Sequence, residues 1–141
     1  MRVLVISDQP LTVFALRGVL LQCDPDATVD DAAYLAEAME LLTLSHRDPI
    51  DLILLDLDTH GMRRIHGATL LRQMWPDIPL AVISATEPDL DVVHAIDIGA
   101  MGYLLKTADT DTLVNALRHV MTGGIYLPEM DTLRLGWSAL E

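Results

Sequence analysis

The sequence predicts an α/β domain, a doubly wound parallel sheet with helices on both faces, and three observations predict it. Short apolar runs alternate five times with longer segments of helical pattern. The runs are apolar throughout rather than at every second residue, which suits strands covered on both sides. Polar residues close several of these runs: Asp8, Asp56, Ser84 and Lys106 each fall at or just past a predicted strand end. In doubly wound sheets ligands sit beyond the carboxyl ends of the strands, where the strand order reverses. Four polar groups from four strands are therefore expected on one rim.

The elements follow in order. "RVLVIS" (2–7) reads as a strand, and "PLTVFALRGVLLQ" (10–22) as a helix with Pro10 in its first turn. A weak strand is expected at 27–29, with Asp30 or Asp31 capping a helix over 32–45. "DLILLD" (51–56) is the third strand, followed by a loop and a helix over 67–75 ended by Pro76. "PLAVIS" (79–84) and a helix over 88–100 form the fourth unit. "GYLLK" (102–106) and a helix over 110–124, stopped by Gly123 and Gly124, form the fifth.

Composition bounds the function. A 141-residue chain that is 51% hydrophobic and 21% charged buries a real core and is not a disordered chain. Its net charge of −12 repels a phosphate backbone, so nucleic-acid binding by this segment itself is not expected. The apolar runs are too brief to span a membrane, and the single Cys23 forms no internal disulfide; a cytoplasmic location is expected.

Asp56 poses the chemical question, because it ends a run that should be buried. An unpaired buried carboxylate is costly, and two adjacent carboxylates repel unless a cation compensates. Asp8 and Asp56 can offer oxygens to Mg²⁺, which takes few carboxylates and keeps its waters. Lys106 supplies a fixed charge for carboxylate or phosphoryl oxygens, and Ser84 a hydroxyl donor. A carboxylate beside a lysine and a metal suits phosphoryl transfer, which rests mostly on positioning and charge neutralisation.

At these residues the chain resembles a bacterial two-component response-regulator receiver domain of the NarL/FixJ (LuxR-type) class. The resemblance rests on "VLVISDQPLTVFALRGVL", "DLILLDLDTHGM", "PLAVISA", "GAMGYLLK" and "ALRHVMTGGIYLP", in that order and spacing. It covers residues 1–128 as one domain, with 129–141 as a tail or the start of a linker. It implies a flavodoxin-like (βα)5 fold with strand order 2-1-3-4-5. It also implies Asp56 as phosphoacceptor, with Asp8, Asp56 and the main chain of Asp58 as Mg²⁺ ligands. Ser84 and Lys106 would contact the phosphoryl group, and Tyr103 would be the aromatic switch. The implied partners are a cognate histidine kinase and a second copy in a homodimer. DNA would be reached only through an effector domain of about sixty further residues, absent from this chain.

The chain departs from the family pattern at three places. Ser7 replaces the first of two adjacent acids, so weaker metal binding is expected. His60 stands where the family has proline. "MRRIHG" lengthens the following loop by about three residues and brings Arg63 and Arg64 beside the pocket, to clamp a phosphoryl group or to stand where the metal should be. From these departures comes a competing expectation, a receiver that acts as an interaction or dimerisation module independent of phosphorylation. A third is a phosphatase, since "DLDTHG" superficially resembles the aspartate-x-aspartate signature of haloacid-dehalogenase-type enzymes. That signature lies near the N-terminus of a longer chain, and the expectation is that this protein is not an enzyme.

Plainer roles stand beside these. Asp56 can cap a turn, Asp8 can cap the first helix, and Tyr103 can be a packing residue. His60 and His66 with Asp58 can suggest a transition-metal site, but loop histidines without fixed geometry are mostly solvated. Cys23 is expected to be inert.

Overall fold

The computed structural model describes residues 1–45, 48–85 and 90–128. Five strands form one parallel sheet: β1 (Arg2–Ile6), β2 (Thr28–Ala32), β3 (Leu52–Asp56), β4 (Leu80–Ser84) and β5 (Gly102–Leu105). Between and after them run α1 (Pro10–Cys23), α2 (Leu35–Leu44), α3 (Ile65–Met74), α4 (Leu90–Asp97) and α5 (Thr110–Met121). The strand order is β2-β1-β3-β4-β5, the doubly wound order that the resemblance implies.

The pleat of each strand sorts its side chains to two cores. Leu4, Ile6, Ile53, Leu55, Leu80 and Val82 face α2, α3 and α4, where Ala38, Leu42, Ala68, Leu71, Val92 and Ala95 meet them. Val3, Val5, Leu52, Leu54, Ala81 and Ile83 face the other way, onto Leu16, Leu20, Leu113, Leu117 and Val120 of α1 and α5. β3 and β4 are buried at every position, which is why their sequences read as unbroken apolar runs. Each leucine removed from water in this way stabilises the fold by about 1.5–3 kcal/mol.

Several expectations need correction. β2 runs over Thr28–Ala32 rather than 27–29, and Asp30 and Asp31 lie inside it, paired in register with Leu4 and Val5. Neither caps α2, whose N-cap is Tyr34 with no side-chain hydrogen bond. Their charges are met across the sheet edge: Arg2 Nε lies 2.7 Å from Asp30 Oδ2, and Arg17 Nη2 lies 3.0 Å from Asp31 Oδ1. α3 begins at Ile65, two residues before the expected 67, because Arg64 already serves as its N-cap. The expected strand at 102–106 ends at Leu105, with Lys106 just beyond it. The tail at 129–141 lies outside the described residues, as do positions 88 and 89 of the fourth expected helix.

The connection from β3 to α3 is bent by its backbone. Gly61, Arg63 and Arg64 have φ of 79°, 52° and 56°. Arginine at positive φ is disfavoured and persists only where surrounding contacts hold it. Met62, 1% exposed, is the apolar anchor of this loop.

Leu54 lies at the centre of β3, fully buried. Leu54→Ala is expected to lower the unfolding free energy by about 2–5 kcal/mol in a urea titration; a loss under about 1 kcal/mol would contradict the core described.

Candidate functional site

The sheet register brings the polar strand ends together. Asp56 pairs with Ile83 and Ser84 pairs with Leu105, so Ser84 and Lys106 each stand one residue further along the neighbouring strand. The ladder continues past the strand ends: Ser7 N–H donates to Ala32 O at 2.9 Å, Leu57 N–H to Ile83 O at 2.9 Å, and Lys106 N–H to Ser84 O at 2.9 Å. These bonds hold the rim residues on rigid backbone.

Asp56 is fully buried, and both of its carboxylate oxygens are met. Oδ1 accepts the Asp58 N–H at 2.9 Å. Oδ2 accepts the Ser7 hydroxyl at 2.7 Å and lies 2.8 Å from Lys106 Nζ. The serine that replaces an acid is therefore itself a ligand of the central carboxylate. It donates where a second carboxylate would repel. Lys106 also reaches Asp58 Oδ2 at 3.2 Å and donates to Gln9 Oε1 at 2.9 Å.

Asp58, expected to contribute only its main chain, is the hub of the rim. Its Oδ1 accepts from Arg64 Nη1 at 2.5 Å, and its Oδ2 accepts the Ala85 N–H at 2.8 Å. Arg64 then crosses to the next strand end, with Nη2 donating to Ser84 Oγ at 3.0 Å. Asp8 is not a helix cap; its Oδ2 accepts the His60 N–H at 3.0 Å, and the N-cap of α1 is Gln9. Among the described residues His60 thus enters through its main chain. Arg63 is exposed and makes none of the rim's hydrogen bonds among the described residues.

Tyr103 lies on β5, fully buried in the core on the α2, α3 and α4 side. Gln9 and Thr59 were not legible as rim residues. Gln9 reads only as the residue before a helix-starting proline, and Thr59 as one loop hydroxyl. Thr59 Oγ1 is buried without a hydrogen-bond partner among the described residues. Burial pushes the Cys23 thiol above its ordinary value, which disfavours the thiolate.

The arrangement does not fit a tightly held divalent ion. Among the described residues no three His, Cys, Asp or Glu side chains converge as metal ligands. Asp56 and Asp58 have both oxygens engaged by protein donors, and Asp8 has one engaged. The two fixed cations, Lys106 and Arg64, already lie against the carboxylates.

With this geometry in place, the comparisons agree on the class. A family model for the response regulator receiver domain matches residues 3–118. The chain belongs to the response regulator receiver domain family, and its relatives are regulators of the LuxR type. It is 33% identical over 127 residues to a glycerol metabolism activator of Pseudomonas putida, covering 90% of this chain and 57% of that one. It is 34% identical over 128 residues to the nitrate/nitrite response regulator protein NarL of Escherichia coli (strain K12), again covering 90% and 57%. A crystal structure of a LuxR family DNA-binding response regulator from Silicibacter pomeroyi superposes with a TM-score of 0.79 at 27% identity, covering 92% of this chain and 98% of that one. The chain spans about half the length of the curated relatives it matches. Among the described residues no helix is long and apolar enough to cross a membrane.

The Asp58 carboxyl is held below its ordinary value of 3.8. Burial, the largest single influence, raises it, but the Ala85 N–H, the bond and charge of Lys106 and the Arg64 guanidinium together outweigh burial. The unfolded chain then binds this proton more tightly than the folded one. The resulting stability is fully present above the ordinary carboxyl pKa and is lost as pH falls through the lower folded value. In urea titrations between about pH 5 and about pH 3, Asp58→Asn is expected to lose less stability than the unaltered protein. An equal loss in both would show that these contacts do not favour the charged carboxylate.

Proposed function

We propose that this domain is a signalling receiver that accepts a phosphoryl group on Asp56 from a histidine kinase. The observation that carries the reading is Lys106 Nζ at 2.8 Å from a fully buried Asp56 carboxylate, at the rim where β1, β3, β4 and β5 end. The Asp56 carboxylate, ion-paired with Lys106, is the nucleophile. Lys106 offsets the charge that gathers as the carboxylate meets an anionic donor, and the ladder bonds keep Asp56 from swinging away.

Ser84, one strand over, is the hydroxyl that donates to the added phosphoryl oxygens. Its engagement is read by Tyr103 on the adjacent strand, which rearranges β5 and its neighbours as a two-state surface. The switched surface acts through a homodimer and through a DNA-binding effector domain of a longer regulator, in the cytoplasm. Leu11 and Phe14, 83% and 78% exposed on α1, offer an apolar surface for such pairing. No turnover of small phosphoesters belongs to this reading.

Receiver domains typically use Mg²⁺ at the acidic site; the ion would add positive charge there. In this chain Asp8 and Asp56 would hold it, with the main chain of Asp58, and weakly, since Ser7 stands in place of an acid. Ser7→Asp is expected to raise Mg²⁺ affinity about tenfold or more, the effect of adding one carboxylate ligand. The change is read as Trp75 fluorescence in a magnesium titration. Equal affinities would contradict the role given to Ser7.

Acetyl phosphate with Mg²⁺ tests the main reading by intact mass. A single phosphoryl adduct is expected in the unaltered protein and none in Asp56→Asn. An adduct that persists in Asp56→Asn would remove Asp56 from the proposal.

A further inference from the structure

Side-chain exposure increases outward along the rim. Asp56 is 0% exposed, Lys106 14%, Asp58 19% and Arg64 35%. Arg64 is thus the more exposed of the two cations at the rim. The guanidinium is anchored at both ends of one edge, by Asp58 through Nη1 and by Ser84 through Nη2. A planar fork fixed in this way suits the oxygens of a phosphoryl group, which it can bind in bidentate fashion.

Its placement is set by the backbone. Arg63 and Arg64 both take positive φ in the lengthened loop, a conformation that must be held in place. The result is a second fixed cation where the carboxylate donors of the rim are already engaged and no cluster of metal ligands forms among the described residues.

We propose that Arg64 is a phosphoryl-binding residue whose guanidinium does the charge neutralisation that a divalent cation would otherwise supply, so that Asp56 accepts a phosphoryl group without added metal. The proposal rests on the reading of Asp56 as phosphoacceptor. As the group arrives, Arg64 exchanges its bond to Ser84 for bonds to phosphoryl oxygens while keeping Asp58. Ser84 is thereby released to donate to the same group. With acetyl phosphate, a carboxylate oxygen of Asp56 forms a bond to phosphorus, the bond from phosphorus to the bridging oxygen breaks, and acetate leaves with its electron pair. No proton moves, and no further reactant is needed. An arginine that merely pins the loop would act equally with and without metal, which separates the two roles.

The test measures the rate of adduct formation by intact mass, with acetyl phosphate in excess EDTA and again in Mg²⁺. It uses the unaltered protein, Arg64→Gln, Arg64→Lys and Asp56→Asn, with Mg²⁺ affinity followed in parallel by Trp75 fluorescence. The unaltered protein is expected to form the Asp56 adduct in EDTA. Arg64→Gln is expected to slow that reaction by roughly 10²-fold, the scale of losing one preorganised donor to a developing charge. Mg²⁺ should restore most of the rate, and Arg64→Lys should fall between. Arg64→Gln should also bind Mg²⁺ more tightly, because a competing cation has been removed.

Adduct formation by the unaltered protein only with Mg²⁺ would overturn the inference and leave the phosphoacceptor reading standing. So would an Arg64→Gln rate in EDTA equal to that of the unaltered protein, or a loss of the same size with and without Mg²⁺. No adduct on Asp56 under either condition would overturn both.

Discussion

A single buried carboxylate organises the top of this molecule. Asp56 lies at the end of a strand buried at every position, where an uncompensated charge would be costly. Everything around it is arranged to meet that demand: a hydroxyl from β1's end, a main-chain N–H from the following turn, and an ammonium group from beyond β5. The parallel register makes this supply possible, since each partner sits at a strand end fixed by ladder bonds. Lys106 serves two carboxylates at once, so removing it would leave Asp56 and Asp58 facing one another with less positive charge between them.

The class of fold was legible because the central strands are buried on both faces. Where every position of a strand is covered, the sequence has no room for polar residues, and β3 and β4 stand out. β2 was harder to read for the opposite reason. It is flanked on one side only, so Asp30 and Asp31 are tolerated within it, and in sequence they look like the cap of the next helix. Their partners, Arg2 and Arg17, come from β1 and α1, and no local pattern announces them.

The candidate site was legible to the extent that strand ends carry it. Asp56, Ser84 and Lys106 fall on one rim because the sheet register sets adjacent strand ends side by side, and Asp8 is tied to the following loop through the His60 N–H. What lay beyond reach was the pairing of side chains across the rim. The side chain of Asp58 as hub, the capture of Lys106 by Gln9 and the crossing of Arg64 to Ser84 depend on loop backbone that composition does not specify. Positive φ at two consecutive arginines is not a preference of that residue, so only the folded loop reveals which of Arg63 and Arg64 turns inward.

The two borders of the sheet are finished differently, and this bears on how the domain behaves when crowded. Along β2 the acids Asp30 and Asp31, each paired with an arginine, place ion pairs rather than apolar side chains on an outer strand of the sheet. At β5 the segment after α5 closes the other border: Tyr126 N–H donates to Met101 O, and Tyr126 O accepts the Tyr103 N–H. With ion pairs along one border and Tyr126 bonded to the other, the sheet offers a poor template for strand-to-strand pairing.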